Sequence, residues 1–490
     1  MTEDELFRAM AAARGVDVGP VDERLLAEVR ALPAEALASH HEARHAPAAR
    51  RKTGVYYTPP TLAAALVART VRSGDRAIID PACGGGGFLV AAYRHLAAAG
   101  VADPAERLHG VDLDPDAVRV TRRSLTLAAL ERPGRGLIDP PHIVAGDGLV
   151  VPDRRDFDAV IGNPPWGQKG IAVDGASREA ILERFPSARG IFDWFRPFVE
   201  RAVELLRPGG RLGLVLPDIL LLKDYEPTRA LLLDELALLD ITAHGMAFPG
   251  ATIDAITLVA EKRRAPARHR VAVSVDGLAH EIPQADFGAN PRRTFNLHLT
   301  PPRRAALDRL AAHPRLGDFY EIHEGVHSGN LREKLFLDRR VDDTCRELYF
   351  GRDELAAFRL SWGGRWLRLG ALPARRTREA YANLGRPEWH ERPKILVRRT
   401  GDRVTAAVDE RGFYASNNFF LVLPRPGAPL GLDALCRYLN HPFATWFFRV
   451  VSPRKGRVFA ELKIRHLSTF PLPPPAAAED DPFALGALPP

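Results

Sequence analysis

Between residues 54 and 260, short apolar runs that close on a polar residue alternate with longer stretches whose apolar positions recur at helical spacing. Ala77–Asp80, Leu108–Asp112, Ile143–Asp147, Phe157–Asn163, Arg211–Pro217 and Ala255–Ala260 are predicted strands. Phe88–Ala99, Asp116–Leu130 and Phe195–Leu206 are predicted helices, the last ending before Arg207-Pro208-Gly209-Gly210. Such alternation predicts an α/β domain built on a doubly wound, largely parallel sheet. Residues 1–50 carry spaced apolar positions (Leu6, Leu25, Leu26, Val29, Leu37) among acidic ones and predict a small helical segment. His40, His41 and His45 lie close together there. With no cysteine or carboxylate cluster to complete a metal set, they read as a solvated helix end.

The charged, proline-bearing run Glu261–Arg270 marks a domain boundary, after which short apolar runs mix with arginine and aromatics. Four segments are expected: a helical segment at 1–50, a catalytic domain at 51–262, an α+β domain at 263–475, and a disordered Pro/Ala-rich tail at 476–490.

Composition narrows the function. At 490 residues with 46% hydrophobic and 26% charged positions, the chain has a globular make-up. No window approaches the ~18 unbroken apolar residues of a membrane span, and the acidic start MTEDELFRAM lacks the apolar core of a secretory signal. Three cysteines build no disulfide framework, so a cytoplasmic protein is expected. Counting Lys and Arg against Asp and Glu, residues 1–260 sum to −5 and residues 261–490 to +12. A basic second half suits a polyanionic partner.

Asp80, Asp112, Asp147 and Asn163 each close a predicted strand. In an open parallel sheet, ligands bind beyond the carboxyl ends of the strands, so these four side chains would line one crevice. Asp80 opens the run Asp80-Pro81-Ala82-Cys83-Gly84-Gly85-Gly86-Gly87-Phe88-Leu89, whose glycines let backbone approach a ligand where a Cβ would clash. It is not the dinucleotide fingerprint, because Leu89 stands where the third glycine belongs. Asp112, 32 positions on, is placed to hold a ribose diol. A nucleoside-bearing cofactor without a pyrophosphate fits both.

Asn163-Pro164-Pro165-Trp166 follows the strand that begins at Phe157. Two successive prolines make a rigid turn that presents the Asn163 side-chain oxygen and the Pro164 carbonyl together. Two fixed acceptors suit an NH2 group. An aromatic amine is a poor nucleophile until hydrogen bonds to both protons draw its nitrogen toward tetrahedral geometry. Trp166 would offer a face to a base that has left the helix.

These motifs resemble the gamma-class N6-adenine DNA methyltransferases of bacterial restriction–modification systems, strongly over 50–260 and weakly over 300–475. Thr53-Gly54-Val55-Tyr56-Tyr57-Thr58-Pro59-Pro60 is similar to the family's opening motif, which implies that Thr58 lies near the methionine part of S-adenosylmethionine. The glycine run resembles the family's cofactor loop, implying contacts from Asp80, Pro81, Ala82, Cys83, Gly84 and Gly86; Gly85 stands where serine is more usual. Asp112 and Leu113 match the ribose-binding strand, Asp147 and Gly148 the motif that reaches the cofactor's adenine, and Asn163–Trp166 the catalytic loop. Phe248-Pro249-Gly250 resembles a later motif whose aromatic residue also packs on the flipped base. In the second half Glu324–Asn330, Lys394–Arg399, Tyr414–Phe419 and Leu467–Pro473 are similar to segments of the family's target-recognition domain.

The resemblance implies a class I methyltransferase fold, a doubly wound mixed sheet with helices on both faces, followed by a DNA-recognition domain. It implies S-adenosylmethionine as cofactor with no metal, duplex DNA as substrate, and a separate endonuclease or defence partner. Cysteine-dependent cytosine methylation is not expected, because Cys83, Cys345 and Cys436 follow Ala, Thr and Leu rather than proline. Fused nuclease activity is not expected either: Glu461-Leu462-Lys463 has no Pro-Asp pair shortly upstream, and fifty N-terminal residues leave no room for such a domain. Three alternatives stay open. Protein-glutamine and RNA adenine methyltransferases share the NPP-aromatic loop, and a non-catalytic DNA-binding subunit could use the same frame.

Overall fold

The computed structural model describes residues 1–43, 58–167, 175–246, 254–372, 381–452, 461–474, 482–483 and 488. The chain divides into two compact units, Met1–Leu297 and His298–Pro490.

Unit 1 is built on a nine-stranded sheet: β1 Ile78–Asp80, β2 Leu108–Asp112, β3 Ile143–Ala145, β4 Phe157–Gly162, β5 Leu206–Pro217, β6 Ala237–Gly245, β7 Ala255–Glu261, β8 Arg270–Val275 and β9 Leu278–Pro283. Their spatial order is β3-β2-β1-β4-β5-β7-β6-β8-β9. β1 to β5 pair in parallel, and β7 runs antiparallel between β5 and β6, which makes the sheet mixed. β1 is parallel to both β2 and β4, so the chain order reverses on either side of it. That reversal opens a crevice at the carboxyl ends of β1 and β4.

Helices cover both faces. Gly87–Ala98 and Pro115–Leu130 follow β1 and β2, with Leu89, Val90, Val120 and Leu127 in the core. Asp114 starts the second of these by accepting from the Asp116 N–H at 2.9 Å, and Pro115 occupies its first position, where a missing N–H costs nothing. Pro60–Thr70 packs on β5 closely enough that a Cβ on Gly213 would meet the Thr70 hydroxyl at 2.1 Å.

The structure changes four expectations. The helix predicted over Phe195–Leu206 ends at Leu205, and β5 starts at once, taking in Arg207–Gly210. The boundary expected at 262/263 falls at 297/298, because β8 pairs in parallel with β6 and carries β9 with it. Residues 1–43 form three helices, Glu3–Ala12, Glu23–Val29 and Ala36–Ala43, whose Leu6, Met10, Leu37 and Ala38 join the same core as the sheet, and His41 is buried rather than solvated. Phe483, in the tail expected to be disordered, packs on Phe443 with ring centroids 4.5 Å apart.

Unit 2 is α+β, as expected. An antiparallel sheet orders Tyr320–Glu324, Phe419–Pro424, Lys394–Arg398 and Ala406–Asp409. Leu435, Leu439, Phe443 and Phe447, from the helices Leu432–Asn440 and Pro442–Val451, fill its core. Within the sheet Lys394 and Asp409 form an ion pair that is fully buried on both sides. A second sheet joins Phe336–Leu337, Trp366–Arg368, Cys345–Tyr349 and Tyr414–Ala415. Two of the segments singled out from the sequence meet there: Val326 N–H donates to Ala415 O at 2.7 Å and Asn417 N–H to Val326 O at 2.9 Å.

Candidate active site

Three strand ends converge at the crevice. Asp80 ends β1 with its carboxylate 1% exposed, accepting from the Ala82 N–H at 3.0 Å. Across from it, Gly162 ends β4 with φ +151°; a Cβ there would lie 2.6 Å from Asp80 Oδ1, so only glycine fits. Asn163 and Pro164 follow directly. Burial pushes the Asp80 carboxyl up to about 7, against the pull of the Ala82 N–H, and the Asp112 charge adds to the rise.

At the end of β2, Asp112 accepts from the Gly84 N–H at 2.8 Å and from the Asp114 N–H at 3.0 Å. The two bonds fix the carboxylate between the glycine loop and the next turn. Burial raises its pKa, opposed first by those two N–H groups. Leu113 beside it is 58% exposed, an apolar surface left uncovered at the strand end. Cys83 is buried and donates its N–H to Val111 O at 2.9 Å; burial and then the charges of Asp80 and Asp112 push its thiol well up, so it is not a nucleophile. Gly86 N–H closes the loop onto Cys83 O at 2.8 Å, and Thr121 donates to Gly84 O at 2.6 Å.

After β3, Asp147 turns the chain by accepting from the Leu149 N–H at 2.9 Å. Gly148 lies so close to the loop after β1 that a Cβ would come within 1.8 Å of Pro81 O. Thr58, distant in sequence, lies just before the helix Pro60–Thr70, and Asn163 Nδ2 donates to its hydroxyl at 3.2 Å. With its donor end turned to Thr58, the carboxamide presents its acceptor end the other way. The residues expected at the crevice are therefore brought together, with two exceptions. Phe248 lies outside the described residues. Trp166 is 3% exposed and belongs to the core of unit 1, so it does not present the open face expected of it; its ring is packed away in this state.

Sequence reasoning missed Asp193, which is 2% exposed. Its Oδ1 accepts from the Gly167 N–H at 2.7 Å and its Oδ2 from the Tyr225 hydroxyl at 3.1 Å, while Trp194 N–H donates to Gly167 O at 3.1 Å. The residue after Asn163–Trp166 is thus held on both its amide and its carbonyl. Burial keeps the Asp193 carboxyl above its ordinary range despite the Gly167 and Tyr225 donors. Leu149, Phe192, Trp194 and Phe198 form a separate apolar cluster beside Ala82. The only local signal was the aromatic run Phe192-Asp193-Trp194-Phe195, which helical spacing alone assigns to packing.

The charges acting on Cys83 are those of Asp80 and Asp112, and Asp112 is also the charge that raises Asp80. Acidic side chains at the crevice suit a ligand that carries a ribose diol and a positive charge. The chemistry of this donor set fits a sulfonium nucleoside. Among the described residues, no helix is long and apolar enough to cross a membrane.

Comparison with known proteins agrees with this geometry. Residues 43–276 match the N-6 DNA Methylase family and residues 346–472 the TaqI-like C-terminal specificity domain. The chain is 25% identical over 418 residues to the Type II methyltransferase M.TthHB8I of Thermus thermophilus, covering 80% of this chain and 85% of that protein. It is 24% identical over 266 residues to the Type II methyltransferase M.VspI of a Vibrio species, covering 54% of this chain and 61% of that one. Among solved structures it resembles the Type IIL restriction-modification enzyme MmeI in complex with DNA, with a TM-score of 0.60 and 13% identity, covering 98% of this chain and 81% of that one. At that identity the likeness shows the fold alone.

Proposed function

The chain belongs to the N-6 DNA methylase family with a TaqI-like specificity domain behind it, and on that premise we propose that Asn163 and the Pro164 carbonyl activate the amino group of an adenine flipped out of duplex DNA. It is an adenine-specific DNA methyltransferase of the restriction–modification type. The observation that carries the assignment of residues is the junction at β1 and β4, where Asn163 follows Gly162 against the Asp80 carboxylate and is oriented by Thr58.

S-adenosylmethionine supplies an electrophilic methyl group on a cationic sulfur. Asp112, held by Gly84 and Asp114, would hold the ribose diol, with the exposed Leu113 beside it as part of the same ribose-binding strand end. Pro81, Ala82, Cys83, Gly84 and Gly86 shape the loop, and Asp147 and Gly148 close the adenine end. Thr58 holds the donor end of Asn163, so the side-chain oxygen and the Pro164 carbonyl accept the two amino protons of the target. Both contacts strengthen as the nitrogen becomes tetrahedral, which lowers the barrier more than it tightens substrate binding. Pro165 keeps the turn rigid, and Asp193 fixes its far end through Gly167. Trp166 anchors the end of the loop in the core of unit 1, and the stacking contact with the extruded base is assigned to Phe248.

No metal takes part in this reading. The protein acts in the cytoplasm, which its three buried free cysteines support, and a separate restriction endonuclease recognises the same site. Labelled methyl donor followed by mass analysis of nucleosides tests the reaction: N6-methyl-2′-deoxyadenosine from DNA is expected. Label on cytosine, on RNA alone or on a protein glutamine overturns it. Asn163→Ala should cut turnover by roughly two orders of magnitude with cofactor and DNA affinity nearly intact, and full activity in that variant overturns the mechanism.

A further inference from the structure

The N-terminal helices bear directly on the glycine loop. Gly85 faces the helix Ala36–Ala43, and a Cβ built on it would lie 2.6 Å from Ala38 Cβ and 3.1 Å from Ala38 Cα. The space a side chain would take on the outer side of the loop is already filled by Ala38. This accounts for glycine at the position where the resemblance leads one to expect serine.

One turn further along the same helix, His41 is 8% exposed, with Nδ1 2.7 Å from Glu3 Oε1 and Nε2 3.9 Å from Asp114 Oδ2. Asp114 in turn donates its N–H to Asp112, the carboxylate assigned to the ribose. Two further anchors hold the segment in place. Glu35 pairs with Arg94 on the helix that leaves the glycine loop, and Arg94 also reaches Glu131 at 2.8 Å. Glu3 pairs with Arg119 at 3.3 Å and Asp4 with Arg123, both on the helix that leaves β2. The segment is therefore anchored to the two helices that follow β1 and β2, and Ala38 lies against the loop at Gly85.

We propose that residues 1–43 form the outer wall of the cofactor site, with Ala38 and His41 as positioning residues: Ala38 sets the shape of the loop at Gly85, and His41 steadies the Asp112–Asp114 turn. The proposal rests on the cofactor reading given above. It deepens that reading by adding a part of the site that lies before the methylase motifs in sequence. A loop fixed from behind presents its Gly84 N–H and Asp112 together, so less order has to be imposed when the ligand binds.

The test is a complementary pair in the full chain, read by calorimetric titration with S-adenosylmethionine and by hydrogen exchange of the amides of residues 83–87 without ligand. Gly85→Ala should overpack against Ala38, weaken binding by about tenfold and speed loop exchange. Gly85→Ala with Ala38→Gly should recover most of the affinity and slow exchange again, because the added methyl then occupies the space the other has left. Ala38→Gly alone and His41→Ala should each weaken binding several-fold, with little change in turnover at saturating cofactor. Wild-type affinity and exchange in Gly85→Ala, or no recovery in the folded double variant, overturns the proposal. If Gly85→Ala does not fold, Ala38→Gly alone decides, since unchanged loop exchange there also overturns it. A wild-type chain that binds no S-adenosylmethionine overturns the cofactor reading instead, and the loop exchange of the variants still decides whether Ala38 shapes the loop.

Discussion

Replacing Asp80 with asparagine should make the protein's stability less dependent on pH, by an amount the site itself sets. The carboxyl is 1% exposed, ends β1 against the backbone of Gly162, and is pushed up to about 7 from an ordinary 3.8. A rise of about three units at ~1.4 kcal/mol per unit amounts to about 4 kcal/mol. The sign follows from proton binding. Between pH 4 and 7 the folded protein holds a proton on Asp80 that the unfolded chain has released, so stability falls as pH rises through that window. The cost is fully expressed above about pH 7 and absent below about pH 4. The carboxamide of the Asp80→Asn variant keeps the acceptor for the Ala82 N–H but carries no charge to desolvate. Urea unfolding at a series of pH values should show the variant close to wild type near pH 4 and more stable by up to about 4 kcal/mol at pH 8. Titrating groups remote from Asp80 act equally on both proteins and cancel in the difference, whereas Asp112, whose charge acts on Asp80, contributes to it. Parallel pH profiles would show that Asp80 titrates as an ordinary carboxyl, and the argument that burial at the end of β1 raises its pKa would fall.

Trp166→Ala should cost about 3–5 kcal/mol of stability, because the ring is buried in the core of unit 1. Trp166→Phe should keep most of both stability and turnover, and an alanine variant with wild-type unfolding but poor turnover would restore the reading of an open stacking face. Residues 298–490 carry a net +9 and residues 1–297 a net −2. DNA affinity should therefore fall log-linearly with salt, and a chain cut after Leu297 should bind cofactor but not a specific DNA site. Sequence-specific methylation by that shortened chain, measured on end-labelled duplex, would remove unit 2 from recognition.

The chemistry of the site was legible because it is written in short segments. Asp80, Asp112 and Asn163 each follow an apolar run, and a strand that ends there delivers its next polar residue to one edge of a parallel sheet. Asn163-Pro164-Pro165 has a local conformation that proline fixes without help from the rest of the chain. Other features depend on pairings that no window contains. Thr58 meets Asn163 across 105 residues, Asp193 meets Gly167 across 26, and Ala38 meets Gly85 across 47. The split at 262/263 failed for the same reason. The charged run Glu261–Arg270 reads as a linker, yet the strand after it registers Ala272 on Asp240 and Val273 on Ile241 and so extends the sheet. Trp166 shows the limit from the other side, since its place in the motif suggests a role but not whether its ring is covered. Local sequence sets backbone preference and the order of polar ends. Which surfaces meet is decided by burial summed over the whole unit, and that sum exists only once the sheet has closed on its helices.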